Sequence, residues 1–106
     1  MNKSKVKGTT FEVAVCAWLR DHGFPHCERR ALRGNKDCGD VAGIPGVVLE
    51  LKAAKTLSLS AWMDEVRVEK ANANASIAAC IVKRRSHSIA KSYVVMELED
   101  FAKLIE

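Results

Sequence analysis

Residues 47–52 read Val-Val-Leu-Glu-Leu-Lys, and no other stretch narrows the possible folds as much. Aliphatic and β-branched residues packed this closely favour an extended strand. Side chains alternate across a strand, so Val47, Leu49 and Leu51 share one face while Val48, Glu50 and Lys52 share the other. The first face reads as core. An unpaired charge in an apolar layer costs several kcal/mol, so Glu50 and Lys52 either form a surface ion pair or carry chemistry.

The residues just upstream add a third charge. Gly43-Ile44-Pro45-Gly46 reads as a turn, with two glycines for unusual backbone angles and a proline that cannot pair centrally. It joins extended segments at 40–42 and 47–53, which are expected to pair antiparallel. That pairing brings Asp40 to the end of the hairpin carrying Glu50 and Lys52. Two carboxylates with a nearby backbone carbonyl suit Mg²⁺, with Mn²⁺ as a substitute, because these ions prefer oxygen ligands and share them with substrate phosphate. A neighbouring lysine can orient or help deprotonate an attacking water and offset phosphate charge. The chemistry implied is phosphodiester hydrolysis. The plainer alternative is a turn aspartate beside a surface ion pair, which strands often carry.

The remaining elements follow from periodicity. Phe11, Val15, Trp18 and Leu19 cluster on one side of a helix expected at 10–22, ended by Gly23. At about 100° per residue Glu12 borders that apolar face. Thr9 and Glu12 also have capping-box spacing, so Glu12 is open to either role, cap or third acid. A strand is expected at 26–32, then a polar loop at 33–39. A second helix is expected to start at a Ser60 cap, with Trp62, Val66 and Ala73 on its inner face. Strands at 77–82 and 93–96, separated by a basic turn at 83–88, and a helix at 97–106 complete an α-β-β-β-α-β-β-α order. The fold class expected is α/β, a mixed sheet flanked by helices, in a single domain over residues 1–106.

Charge points to a polyanionic partner. The 106 residues carry 17 Lys and Arg against 13 Asp and Glu, a net charge of +4, a mild excess that fits nucleic acid. Three groups concentrate it: Lys3, Lys5 and Lys7; Arg29, Arg30, Arg33 and Lys36; and Lys83, Arg84, Arg85 and Lys91. All three are expected outside the helices. No run approaches the ~20 apolar residues of a membrane span and no secretory signal is evident, so the expected location is the cytoplasm. The four cysteines lack C-x-x-C spacing and read as free thiols. His22, His26, Cys27 and Cys38 match no common zinc spacing.

With these residues in view, the chain resembles the PD-(D/E)XK nuclease superfamily, and within it the small Holliday junction resolvase-like endonucleases of archaea and phages. Residues 7–12, KG-x-x-F-E, are similar to the opening helix with its acid, Gly23-Phe24 to the end of that helix, and Arg29-Arg30 to the basic strand before the active-site loop. Gly39-Asp40 stands in the PD position, with Gly for Pro, and Glu50-Leu51-Lys52 in the E-x-K position. Leu59, Trp62 and the Lys83-Arg84-Arg85 strand end resemble the phage members. The loop Asn35-Lys36-Asp37 lacks the serine often found in archaeal members. Asp37 is set aside as the motif acid because Asp40 opens the strand that pairs with Glu50.

The resemblance implies a restriction-endonuclease-like core, with Asp40, Glu50 and the Leu51 carbonyl as Mg²⁺ ligands. It implies Lys52 as the water-activating or charge-stabilising residue and Glu12 as an accessory acid. Arg29, Arg30, Arg33, Lys36, Lys83, Arg84 and Arg85 are the candidate DNA contacts. The activity expected is structure-selective cleavage of DNA, foremost of four-way junctions, in phage recombination or genome processing and hence in the host cytoplasm if phage-encoded. Paired cuts need two active sites, so a two-fold homodimer is expected. The alternatives are a general nickase, flap-cleaving or restriction-type nuclease with the same site, and a non-catalytic DNA-binding module. Trp18 and Trp62 read as core residues rather than base-stacking platforms, and His87 as a surface or phosphate-contacting residue.

Overall fold

Two neighbouring strands, each covered on both faces, organise the structure. The computed structural model describes the backbone of residues 3–30 and 36–106 and the side chains of residues 6–30 and 36–106. Strand β3 (Val47–Lys52) and strand β4 (Ile77–Val82) run parallel, in register from Val47 opposite Ile77 to Lys52 opposite Val82. A parallel pair needs a crossover, and helix α2 (Leu59–Asn72) supplies it. Strand β5 (Tyr93–Val95) adds antiparallel to β4, making the sheet mixed. Helix α1 (Lys3–Asp21), strands β1 (Glu28–Arg29) and β2 (Val41–Ala42) and helix α3 (Leu98–Leu104) complete the expected order, with one turn of 3₁₀ helix at Ile89–Lys91 as the addition.

The sheet is covered on both sides. Phe11, Val15 and Cys16 of α1 pack with Leu49, Leu51, Ala79 and Ile81 on one face. Trp62 and Val66 of α2 pack with Val48, Ala78, Cys80 and Val82 on the other. The face carrying Glu50 and Lys52 is thus a second core layer, and Glu50 is only 6% exposed. Continuous apolar strands of this kind belong in sheets buried on both faces.

The local corrections have simple causes. Helix α1 begins seven residues before the expected start, so Thr9 lies within it and forms no capping box with Glu12; the lysines at 3, 5 and 7 are helical rather than in a loop. Helix α2 begins at Leu59 with Ser58, not Ser60, at the cap position. Only Glu28–Arg29 of the expected 26–32 strand pairs as a strand, and residues 31–35, including Arg33, lie outside the described residues. Trp62 is core, but Trp18 is half-buried and stacks on His22 with ring centroids 3.8 Å apart.

The expected hairpin is modified too. Strand β2 pairs with β1, Arg29 opposite Val41, rather than forming a ladder with β3. Asp40 makes the link to β3 instead: its N–H donates to the Leu49 carbonyl at 2.9 Å and its Oδ2 accepts the Leu51 N–H at 2.8 Å. Gly43, at φ +93°, lets the turn pass so close to His26 that an added Cβ would lie 1.8 Å from the His26 carbonyl oxygen. No side chain fits there, whatever its rotamer.

A second aspartate closes the other side of the sheet. Asp100 of α3 is buried; its Oδ2 accepts the Ala78 N–H at 2.9 Å and its Oδ1 accepts Lys70 Nζ at 2.7 Å. It thereby ties α3 and α2 to β4 before β5 begins. Burial opposes ionisation of Asp100, but the Lys70 ammonium and the Ala78 amide outweigh it and hold the carboxyl below its ordinary value. Removing it leaves a buried amide unpaired, so Asp100→Ala is expected to cost about 2–3 kcal/mol, read as a lowered urea midpoint at pH 7 with an unchanged slope.

Candidate metal centre

Glu50 and Lys52 point from β3 into the layer beneath α2, where the helix adds two more acids. Trp62, Val66 and Glu69 fall on one stripe of α2, and Glu65 flanks it, so Glu69 meets the apolar layer end-on. Glu69 is 1% exposed. From the loop before β2, Asp37 reaches the same place, its turn closed by the Gly39 N–H donating to Asp37 Oδ1 at 2.9 Å and its carbonyl accepting Asn72 Nδ2 at 2.9 Å. Gly39, at φ +93°, permits this approach, because a Cβ would meet the Leu49 carbonyl oxygen and the Val48 side chain at 3.0 Å.

The result is four carboxylates, of Asp37, Glu50, Glu65 and Glu69, each offering an oxygen within 4.8 Å of the others. One cation faces them. Lys52 Nζ lies 3.3 Å from Glu50 Oε2 and 3.3 Å from Glu65 Oε1, above the Trp62 ring at 5.9 Å from its centroid. Among the described residues three buried oxygens lack any partner: Glu50 Oε1 and both oxygens of Glu69. Buried carboxylate oxygens are rarely left unpaired. A hard, oxygen-only donor set with orphaned atoms is one that a divalent cation satisfies, so the cluster is able to chelate such an ion.

The electrostatics agree. Burial, reinforced by the charge of Asp40 and the proximity of Glu65 and Glu69, pushes Glu50 up to about 10 despite Lys52. Burial and the charge of Asp37 push Glu69 up to about 8. Lys52 would be lowered by its own burial, but Glu50 and Glu65 overcome this and raise it. Lys52 therefore stays an ammonium in the metal-free protein, suited to charge stabilisation rather than to accepting a proton.

The residues singled out from the sequence are distributed unevenly around this centre. Glu50 and Lys52 are in it. Asp40 lies at the sheet edge beside it, near enough to raise Glu50, with its carboxylate on the Leu51 amide. Leu49 and Leu51 turn their peptide groups the same way along the strand, so the Leu51 carbonyl shares the edge that Asp40 occupies. Glu12 is elsewhere: α1 covers the opposite face of the sheet, and its carboxylate pairs with Arg29 at 3.1 Å. Of the basic candidates, Arg30, Lys36, Lys83 and Arg85 are exposed, whereas Arg84 packs over Tyr93, 4.4 Å from the ring centroid.

Asp37, Glu65 and Glu69 were not among the expected site residues. Glu69 had a readable signal, an acid in the middle of an otherwise apolar helical stripe. Glu65 precedes it by four residues, one turn of the same helix. Asp37, set aside as the motif acid in favour of Asp40, is in the cluster and Asp40 is not, because the position of Asp37 depends on the loop's path past Gly39.

The raised carboxyls have a consequence for stability. The folded chain retains protons that the unfolded chain releases near the ordinary value of 4.5, so stability falls as pH rises through the range up to about 8 for Glu69 and about 10 for Glu50. Asp100 and Glu97, whose carboxyls are lowered, act only at more acid pH. Urea midpoints in EDTA are therefore expected to be lower at pH 8 than at pH 5. Mg²⁺ or Mn²⁺ should raise the midpoint more at pH 8, and Glu69→Gln should reduce both effects. A flat pH profile with no response to metal would exclude a cation site here.

No family model, no curated protein and no solved structure matches the chain, so the functional reading rests on the geometry of its own residues.

Proposed function

We propose that the protein is a Mg²⁺-dependent, structure-selective DNA endonuclease of the PD-(D/E)XK type, acting foremost on four-way junctions. The observation that carries this reading is the pairing of Lys52 with a half-buried, partly unsatisfied acid cluster near the end of β3. The α-β-β-β-α-β order, with Asp40 immediately before the short strand that precedes Glu50-Leu51-Lys52, supports it. The restriction-endonuclease-like core and the junction-resolving activity are both part of the proposal.

Glu50, at the centre of the cluster, is the first candidate ligand. Asp40, whose charge raises Glu50 and whose Oδ2 holds the Leu51 amide, and the Leu51 carbonyl would add ligands from the β2 edge. Asp37, Glu65 and Glu69 approach from the loop and from α2. A bound Mg²⁺ supplies Lewis-acid polarisation of a phosphodiester oxygen and a water of lowered pKa. Lys52, held between two carboxylates, places positive charge where the phosphate charge grows during hydrolysis. Trp62 and Val66 seal the inner side of the site from bulk water. Resolution of a junction calls for a symmetric homodimer presenting two such sites.

The test is cleavage of a labelled four-way junction and its matching linear duplex, with Mg²⁺ and with EDTA. Wild-type protein is expected to make paired, Mg²⁺-dependent cuts in the junction. Lys52→Ala and Asp40→Asn should lose at least ~10²-fold in rate, the scale of losing an electrostatic contact to the transition state, while junction binding persists. Equal cutting of linear duplex would make the protein a general nuclease of this type. Absence of cutting of either DNA would refute the enzymatic reading.

A further inference from the structure

The ends of β3 and β4 bring together a second cluster, of opposite sign. The parallel strands leave the sheet side by side, with the Lys83 N–H donating to the Lys52 carbonyl at 2.9 Å. Lys55 follows β3 by three residues, Lys83 and Arg85 follow β4, and Lys7 arrives from α1 on the far face. These four cations, with Ala53 and Ala54, line a cleft of about 90 Å³. No acid lines it. Among the described residues none of the four has a carboxylate at ion-pair distance, although Glu12, Glu50, Glu65, Glu97 and Asp100 are all paired elsewhere.

We propose that this cleft, formed by Lys7, Lys55, Lys83 and Arg85, binds a backbone phosphate of the nucleic-acid substrate beside the one cut near Lys52. The proposal rests on the nuclease reading and adds Lys7 and Lys55, from two further segments, to its DNA contacts. Four cations left uncompensated around one small concavity repel each other, and an anion is the partner that removes this cost. The cleft is open to solvent and lined by cationic side chains around a small apolar floor, a shape that admits a phosphate group. The alanine floor offers no hydrogen-bonding side chain to read a base edge, so the contact positions the backbone without specifying sequence.

The presentation is specific. The turn after β4 is closed by the His87 N–H donating to the Arg84 carbonyl at 3.2 Å, with Ser86 at φ +63°. Within it Arg84 leaves the row to cover Tyr93 and donates to the Lys91 carbonyl at 3.5 Å, while Lys83 and Arg85 remain at the cleft. The Lys-Arg-Arg run therefore supplies two phosphate contacts and one structural arginine.

Fluorescence anisotropy of labelled junction and duplex in EDTA, at several salt concentrations, tests this without any cleavage. The double variant Lys7→Ala/Lys55→Ala is expected to melt like the wild type and to bind both DNAs several-fold more weakly. The slope of log K against log salt should become shallower by about one, as for the loss of one phosphate contact. Unchanged affinity and slope in the double variant, with a wild type that binds and cuts, would overturn the cleft alone; a wild type that binds no DNA would overturn the nuclease reading with it. If inorganic phosphate raised the melting midpoint of the wild type but not of the double variant, while DNA binding stayed equal, the cleft would be a small-anion site and the backbone assignment would fall.

Discussion

Asp40 holds the two small sheets together through three hydrogen bonds: its N–H to the Leu49 carbonyl, its carbonyl to the Arg30 N–H, and its carboxylate to the Leu51 N–H. Where an ordinary hairpin would continue its ladder, a side chain takes the place of a strand. Gly39 immediately before it, and the loop carrying Asp37, are positioned by the same stitch. Among the described residues the edge of β3 thus stays free of a continuous neighbouring strand, with the Leu49 carbonyl and Leu51 amide held by Asp40 alone. Asp100 uses the same device on the Ala78 amide at β4. At both positions a short acidic side chain completes the hydrogen bonding of a strand that its neighbours leave exposed.

The cluster beneath α2 works against folding in the metal-free chain. Apolar residues of similar volume at positions 50 and 69 would pack with Val48, Trp62 and Val66 without unpaired oxygens or raised carboxyls. Lys52 offsets part of the repulsion and cannot reach all of it, because both Glu69 oxygens remain without partners. A sequence that keeps acids in such a layer meets a local cost that a cation would relieve. Polar conflicts of this kind mark functional sites more often than structural ones.

The order of elements was legible because three signals were independent of tertiary context: the helical spacing of Phe11, Val15 and Trp18, the apolar run 77–82, and the turn 43–46. The span of β4 matched the expected residues. What stayed hidden depended on packing. The Lys-rich start of α1 has no apolar period to announce a helix, and the short β1–β2 pairing is set by the close approach of Gly43 to His26. Glu50 and Lys52 stood out because they interrupt an apolar strand, and the fold places both at the acid cluster. Glu12 drew attention by bordering an apolar face, and the fold then placed that face on the other side of the sheet, where Arg29 neutralises it.

The ends of β3 and β4 separate charge over a few residues. Glu50 lies two residues before the end of β3, among acids; Lys55 lies three residues after it, among bases; Lys52, at the boundary, is bound to the acids. A net charge of +4 for the chain conceals this division. A polyanion approaching alone would meet the basic cleft favourably and the carboxylates unfavourably. With a cation among the carboxylates the repulsion would fall, and on the proposed reading one phosphate backbone would lie across both. The two halves are then mutually dependent in a definite direction: the cation should strengthen backbone binding near Lys52, and by linkage the backbone should strengthen cation binding by the same factor.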